Sequence, residues 1–240
     1  MKRNPGTDKT IALRVLIADN DEHIRVDLKK AFDNPPVEGF RFDVTCVESA
    51  HAAEKAFRTS PEGFDVVILD QWMETEESGS AALFALNEAA GEVISLVYTG
   101  QDKYGGKEEI LASRRKMRNA LHEGAVDVLD KGFVPFVEVV GIVIKEFRRR
   151  QAEEQNRRAF TEWARSMDPE AAKERCAGKW IAFREGEEIR CQKWLVDLFE
   201  AFKNDPDGVA RPVIGYVNGA GAIYMGRPDV LDPLPENLEA

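Results

Sequence analysis

Five short aliphatic runs, separated by helix-like segments, constrain this chain more than any other feature. They are IALRVLIAD (Ile11–Asp19), FRFDVTCV (Phe40–Val47), DVVILD (Asp65–Asp70), EVISLVYTG (Glu92–Gly100) and AVDVLD (Ala125–Asp130). Strands joined through helices pair in parallel, and a parallel sheet needs helices over both of its faces. Val66–Leu69 is apolar without alternation, as a strand buried on both sides must be. FRFDVTCV alternates instead, which suits a sheet edge. The expected fold class is therefore α/β with a doubly wound five-stranded parallel sheet, for which the order 2-1-3-4-5, one of the common orders of that class, is taken.

The segments between the runs carry helix signals. His23–Phe32 is followed by Asn34-Pro35-Pro36, and proline cannot continue a helical hydrogen-bond ladder. Ser49 is a candidate N-cap for a helix through about Phe57, with Ala52, Ala53 and Ala56 supplying propensity. Further helices are expected near Ala81–Ala90, near Lys107–His122 and from about Pro135 onward. The last of these extends past its apolar stripe of Val140, Ile144 and Phe147. Arg148 to Arg158 is almost wholly charged, with Arg149–Glu153, Arg150–Glu154, Glu153–Arg157 and Glu154–Arg158 at i,i+4 spacing. Each such pair contributes only about 0.2–0.5 kcal/mol, but together they favour a solvated helical connector. Phe160, Trp163 and Met167 restore an apolar face before Asp168-Pro169 ends the helix.

The remainder is a different kind of unit. KWIAF, REGEE and IRC read as a β-hairpin with Gly186 in its turn. Lys193–Phe202 reads as an amphipathic helix with Leu195, Leu198, Phe199 and Phe202 on one face, and RPVIGYV as a further strand. AIYMG is a candidate last short strand. The expected organisation is a disordered N-terminus (1–10), the α/β domain (11–147), a helical connector (148–170), a small α+β module of ββαβ order (171–226) and an acidic tail (227–240).

Composition narrows the function. A formal net charge of −10 argues against a general nucleic-acid binder, and the basic run RRKMR (Arg114–Arg118) fits a solvated helix face. Cys46, Cys176 and Cys191 form no C-x-x-C pair, which suits free thiols in a reducing compartment. No signal-like segment follows the polar start, and the longest apolar stretch, Val139–Ile144, falls far below the ~20 residues a membrane helix needs. A cytoplasmic location is expected. His23, His51 and His122 share no ligand spacing, and NGAGAIYMG lacks the lysine of a phosphate loop, so both are read as structural.

In a doubly wound sheet the functional crevice lies beyond the C-terminal strand ends. The first run ends in Asp19-Asn20-Asp21-Glu22, the third at Asp70 and the fourth at Thr99-Gly100, while Lys131 follows the fifth. In the 2-1-3-4-5 order these ends are neighbours. Their side chains would gather acids, a hydroxyl and an ammonium in one place. An acid cluster there can hold Mg²⁺, a hard cation that takes oxygen ligands. With metal and lysine present, a carboxylate can act as a nucleophile toward phosphorus. Taken alone, Asp70 could equally cap a following helix.

Over roughly residues 11–147 the sequence resembles the response-regulator receiver domain of two-component phosphorelay signalling. VLIADND matches the acidic loop, DVVILD the phosphoacceptor strand, VYTG the switch hydroxyl and GAVDVLDKG the lysine loop. About 50 residues separate the acidic loop from Asp70, with 29 more to Thr99 and 32 to Lys131. The last interval is long for the family, and QDKYGGKEEILASRRKM is expected to hold an insertion after strand four or a lengthened fourth helix.

The resemblance implies that Asp70 accepts the phosphoryl group, that Thr99 hydrogen-bonds its oxygens and that Lys131 pairs with it. Asp19, Asn20, Asp70 and the backbone carbonyl of Trp72 would hold Mg²⁺. The implied donor is a sensor histidine kinase or phosphotransfer protein, and homodimer formation is a further expectation. The protein would be a non-enzymatic phosphoprotein whose C-terminal module binds proteins and not DNA. A degenerate receiver, acting as a phosphorylation-independent scaffold, is the alternative. Three positions depart from the family pattern. Asn20 stands where a second metal-ligating acid is usual, Val128 where an aromatic switch residue is common, and Gly132 where proline follows the lysine. The C-terminal module, with GKW-I-A, a G-E turn, a helix and R-P-V-I, resembles a small prokaryotic domain without assigned chemistry.

Overall fold

A computed structural model describes residues 10–60, 63–73, 93–100, 120–121, 125–184, 187–192, 213–217 and 223–226. The helices expected near Ala81–Ala90 and Lys193–Phe202 lie outside these residues, as do the 1–10 and 227–240 termini apart from Thr10. Of the charged helix expected near Lys107–His122, only Ala120 and Leu121 are described. The chain divides into two compact units, Met1–Glu146 and Phe147–Ala240.

The first unit is built on a five-stranded parallel sheet of order β2-β1-β3-β4-β5. Its strands are β1 (Ile11–Ala18), β2 (Phe40–Val47), β3 (Val66–Leu69), β4 (Ile94–Thr99) and β5 (Asp127–Asp130). This is the doubly wound order of receiver-type proteins, and it agrees with the order expected from the sequence. Every residue of β3 and β4 is buried, while β2, at the edge, alternates over its first half.

Helices α1 (Glu22–Asp33) and α2 (Ala50–Thr59) cover opposite faces. On one face Ala50 and Ala53 of α2 pack with Leu16, Ala18, Val67, Leu69 and Val97, and Val47 and Val128 pack against the same cluster. The period-2 alternation of strands sends Phe42 and Cys46 to the other face. There the Phe42 ring meets Phe32 of α1 edge-on at 5.0 Å, and the Cys46 thiol donates to the Arg25 carbonyl. Both helices start on the side-chain caps their sequences offer. Asp21 Oδ1 accepts from the His23 amide at 2.8 Å, and Ser49 Oγ from the Ala52 amide at 3.1 Å.

Asp65 corrects a sequence-based expectation, in which it is a solvated strand-start residue. Its amide donates to the Arg14 carbonyl at 2.9 Å, and its Oδ2 accepts from the Arg14 amide at 2.7 Å. Its carbonyl takes the Ile94 amide at 3.0 Å. One residue thus ties the middle of β1 to the beginnings of β3 and β4, which sets the register by which their far ends line up.

Helix α3 (Phe136–Ser166) runs for 31 residues, and the boundary between the two units falls within it. Its charged stretch pairs Arg149 with Glu153 and Arg158 with Glu154, and Arg157 pairs with Glu154 at i,i+3. In the second unit, Trp163 and Met167 pack on a cluster of Ala172, Cys176 and Ile181. The chain does not pass straight from a connector to a hairpin, as the sequence suggested. A short helix, α4 (Pro169–Cys176), intervenes and ends at Ala177. Gly178 follows at φ +68°, a left-handed conformation that favours glycine.

Strands β6 (Lys179–Arg184), β7 (Glu187–Gln192), β8 (Val213–Val217) and β9 (Ile223–Gly226) form an antiparallel sheet of order β7-β6-β8-β9. The fourth strand, β9, is the candidate last short strand AIYMG and adds to the ββαβ order. No described helix is long and apolar enough to cross a membrane.

Asp65→Ala removes an acceptor from the Arg14 amide and is expected to lower unfolding stability by about 1–3 kcal/mol. Asp65→Asn, whose amide oxygen can still accept, is expected to lose less; urea denaturation of the two variants checks the ranking.

Candidate functional site

The sheet brings the ends of β1, β3, β4 and β5 side by side, and the polar groups of the site arrive on those ends. Asp19, 1% exposed, follows β1. Its amide continues the ladder to the Val47 carbonyl, and its own carbonyl accepts from Arg25 Nη1 at 2.6 Å. Asp70, 5% exposed, follows β3, and its amide donates to the Ala18 carbonyl at 2.8 Å. Lys131 follows β5, with its amide on the Thr99 carbonyl at 2.9 Å. Backbone ladder bonds therefore fix all three chain positions before any side chain is considered.

Lys131 Nζ reaches both carboxylates, at 2.6 Å from Asp19 Oδ2 and 2.8 Å from Asp70 Oδ2. The remaining oxygens are held by the backbone. Asp19 Oδ1 accepts from the Asp21 amide at 2.9 Å, and Asp70 Oδ1 from the Trp72 amide at 3.2 Å. Burial pushes the Asp19 carboxyl above its ordinary pKa, against the lowering influence of Lys131 and of the Asp21 amide; the nearby Asp70 charge adds to the rise.

Thr99 is 2% exposed, and among the described residues its Oγ1 has no hydrogen-bond partner. A buried hydroxyl without a partner costs free energy, and native structures leave few of them.

Asn20 is exposed, and its Nδ2 donates to the Met73 carbonyl at 3.3 Å, tying the loop after β1 to the loop after β3. Asp21, next in the chain, caps α1 through Oδ1. Trp72 lies two residues past Asp70 and is 38% exposed. Val128, at the position common to an aromatic switch, is partly buried against the α2-side cluster.

The turn after Lys131 is fixed by Asp130. Its Oδ1 accepts from the Gly132 amide at 2.7 Å, and its carbonyl from the amides of Phe133 and Val134. The D-x-G spacing of Asp130 and Gly132 is the sequence signal for this Asx turn.

The donor set is one of hard oxygens: two buried carboxylates, with an amide side chain on the neighbouring loop. That chemistry fits Mg²⁺, which needs few protein ligands because it keeps several waters. The charge is low for a metal site. Among the described residues no group of three or more His, Cys, Asp or Glu side chains is placed to hold an ion.

No protein-family model matches the chain, and no curated protein matches it in sequence. Solved structures do match. A response regulator receiver domain protein from Clostridium thermocellum is 19% identical, with a TM-score of 0.47, over 58% of this chain and 97% of that one. The BeF3-activated DrrB receiver domain is 18% identical, with a TM-score of 0.41, over 56% of this chain and 99% of that one. A chain of the CheX-CheY-BeF3-Mg complex from Borrelia burgdorferi is 20% identical, with a TM-score of 0.44, over 56% of this chain and 89% of that one. The doubly wound fold of the first unit rests on its own strand order and register.

The raised Asp19 pKa has a sign for stability. The unfolded chain gives up this proton more readily, so the associated stability is present at acid pH and is lost as pH rises through the folded value. In metal-free protein, Asp19→Asn is therefore expected to stabilise the fold at pH 7.5 by about 0.5–2 kcal/mol. The gain should shrink toward pH 4, as followed by thermal melts across that range.

Proposed function

We propose that the five-stranded unit is a phosphorylatable receiver. Asp70 takes a phosphoryl group from a sensor histidine kinase or phosphotransfer protein, and the C-terminal unit passes the change to protein partners. The observation that carries this reading is the buried, unpartnered Thr99 hydroxyl on the strand-end edge that also carries Asp70 and Lys131. A carboxylate–lysine pair alone has a purely structural explanation. A buried donor beside it with no partner among the described residues is what an acceptor oxygen from outside the chain would satisfy.

In the proposed reaction an Asp70 carboxylate oxygen attacks phosphorus as the bond from phosphorus to the donor's leaving group breaks. The reacting oxygen must come free of its protein donor. Lys131 can release Asp70 Oδ2 while remaining on Asp19, so its charge stays in the site throughout. The product adds negative charge and new acceptor oxygens. Lys131 and Thr99 are the donors suited to receive them, and their movement would be the signal. Asp19, Asp70, Asn20 and the Trp72 carbonyl are the groups to hold Mg²⁺, which when bound neutralises charge developing on the transferring oxygens. A shift in output requires the phosphate to favour one arrangement of the unit over another, and about 1.4 kcal/mol of preference gives a tenfold change.

Incubation with a small phosphodonor and Mg²⁺ is expected to raise the intact mass by one phosphoryl group, and Asp70→Asn to abolish the gain. A wild-type mass that never rises would leave the phosphorylation-independent scaffold as the function. Restoring a second acid by Asn20→Asp is expected to tighten Mg²⁺ binding several-fold, because affinity follows ligand charge. Titration of the Trp72 fluorescence, with Trp72→Phe as the blank, measures it.

A further inference from the structure

We infer that the Tyr98 hydroxyl is a positioning group for Lys131: it holds the β5–α3 loop at the place from which the ammonium reaches both carboxylates. This rests on the receiver reading for its functional meaning, though not for its geometry. Tyr98 is out of character with its strand. Its neighbours in β4 are Ile94, Ser95, Leu96 and Val97, and the phenol is only 1% exposed. Alternation along β4 turns Tyr98 away from the face of Val97 and Thr99. From there its hydroxyl donates to the Val134 carbonyl at 2.9 Å, and its ring meets Phe136 edge-on at 5.9 Å.

Two adjacent β4 residues therefore pin one loop at two points. Thr99 takes the Lys131 amide through its carbonyl at 2.9 Å, and Tyr98 holds Val134, three residues further on. Gly132 has no side chain, and Phe133 is 76% exposed. The Asp130 turn gives the loop its internal shape but does not attach it to β4. Burial, with the charges of Asp19 and Asp130 behind it, pushes the phenol pKa up, so the hydroxyl remains a donor across the working range of pH. Tyr98 touches no reacting atom in this arrangement. It acts through Lys131, from the face opposite Val128.

The experiment needs no phosphate. Lys131 is labelled with an amine-selective reagent and its rate is read by peptide mass spectrometry against Lys30, whose side chain is 69% exposed. Tyr98→Phe keeps the ring and removes only the hydroxyl. It is expected to speed Lys131 labelling about two- to tenfold, the range of one lost hydrogen bond, with Lys30 unchanged. Phe136→Leu removes the ring partner and keeps the hydroxyl. It is expected to lower the melting temperature while leaving Lys131 at the wild-type rate. An unchanged rate in Tyr98→Phe overturns the assignment, and so does an equal rise in both variants, which would make packing the cause. Phosphodonor incubation of the same proteins is a separate arm, in which Tyr98→Phe should accept phosphate more slowly than wild type. If no protein takes phosphate, the receiver reading fails and the labelling result still decides the role of Tyr98.

Discussion

Two carboxylates buried within one crevice share a single ammonium, and the architecture of the first unit follows from keeping that arrangement together. Asp19 and Asp70 are almost wholly removed from water, where a lone carboxylate is costly and a pair is worse. Lys131 offsets the cost only by lying within 3 Å of both, which no flexible surface lysine would do reliably. The ends of β1, β3 and β5 must therefore be registered to within a fraction of an ångström. The Asp65 ties at the beginnings of β3 and β4 and the Thr99 carbonyl under the Lys131 amide do this work with backbone hydrogen bonds, which are stiffer than side-chain packing.

Much of the fold was legible in the sequence because its signals are local. β2 begins and ends where its alternating run does, and Ser49 and the helix-breaking prolines bound their helices as residue chemistry dictates. That the sheet is parallel follows from the helices between its strands and the two-sided burial of β3, whereas its order belongs to the doubly wound class and is written in no single run. The convergence of Asp19, Asp70, Thr99 and Lys131 on one edge follows from that order, since each sits where an apolar run stops. What stayed hidden depends on partners distant in sequence. Asp65 looked solvated because nothing within the run reveals that Arg14 needs its oxygen. Asp21 stands in the same acidic run as Asp19, yet it caps α1 while Asp19 faces Lys131, and residue type alone does not separate the two roles. Tyr98 passed as one more apolar residue; its hydroxyl gains meaning only from Val134, 36 residues on.

The second unit teaches the same lesson about boundaries. Composition places a connector up to residue 170, since its charged face is conspicuous. Yet Trp163 and Met167 belong to the core that also holds Cys176 and Ile181, so the last turns of α3 are part of what they seemed to lead toward. A charged stretch marks what water touches, and it is silent about what the opposite face covers. The α4 helix was missed for a related reason: eight residues with a weak apolar pattern look like a link until Gly178 turns the chain into β6.

The unpartnered Thr99 hydroxyl also bears on how such a chain changes over generations. Valine has the same shape without the hydroxyl, and would remove a buried donor that has no partner among the described residues. In a lineage that no longer uses the site, drift toward valine at position 99 is favoured by stability alone, while the Lys131 pair resists change because breaking it strands a buried charge. Retention of the threonine among close kin is then a record of use, and its loss beside an intact aspartate–lysine pair would be the first mark of a scaffold.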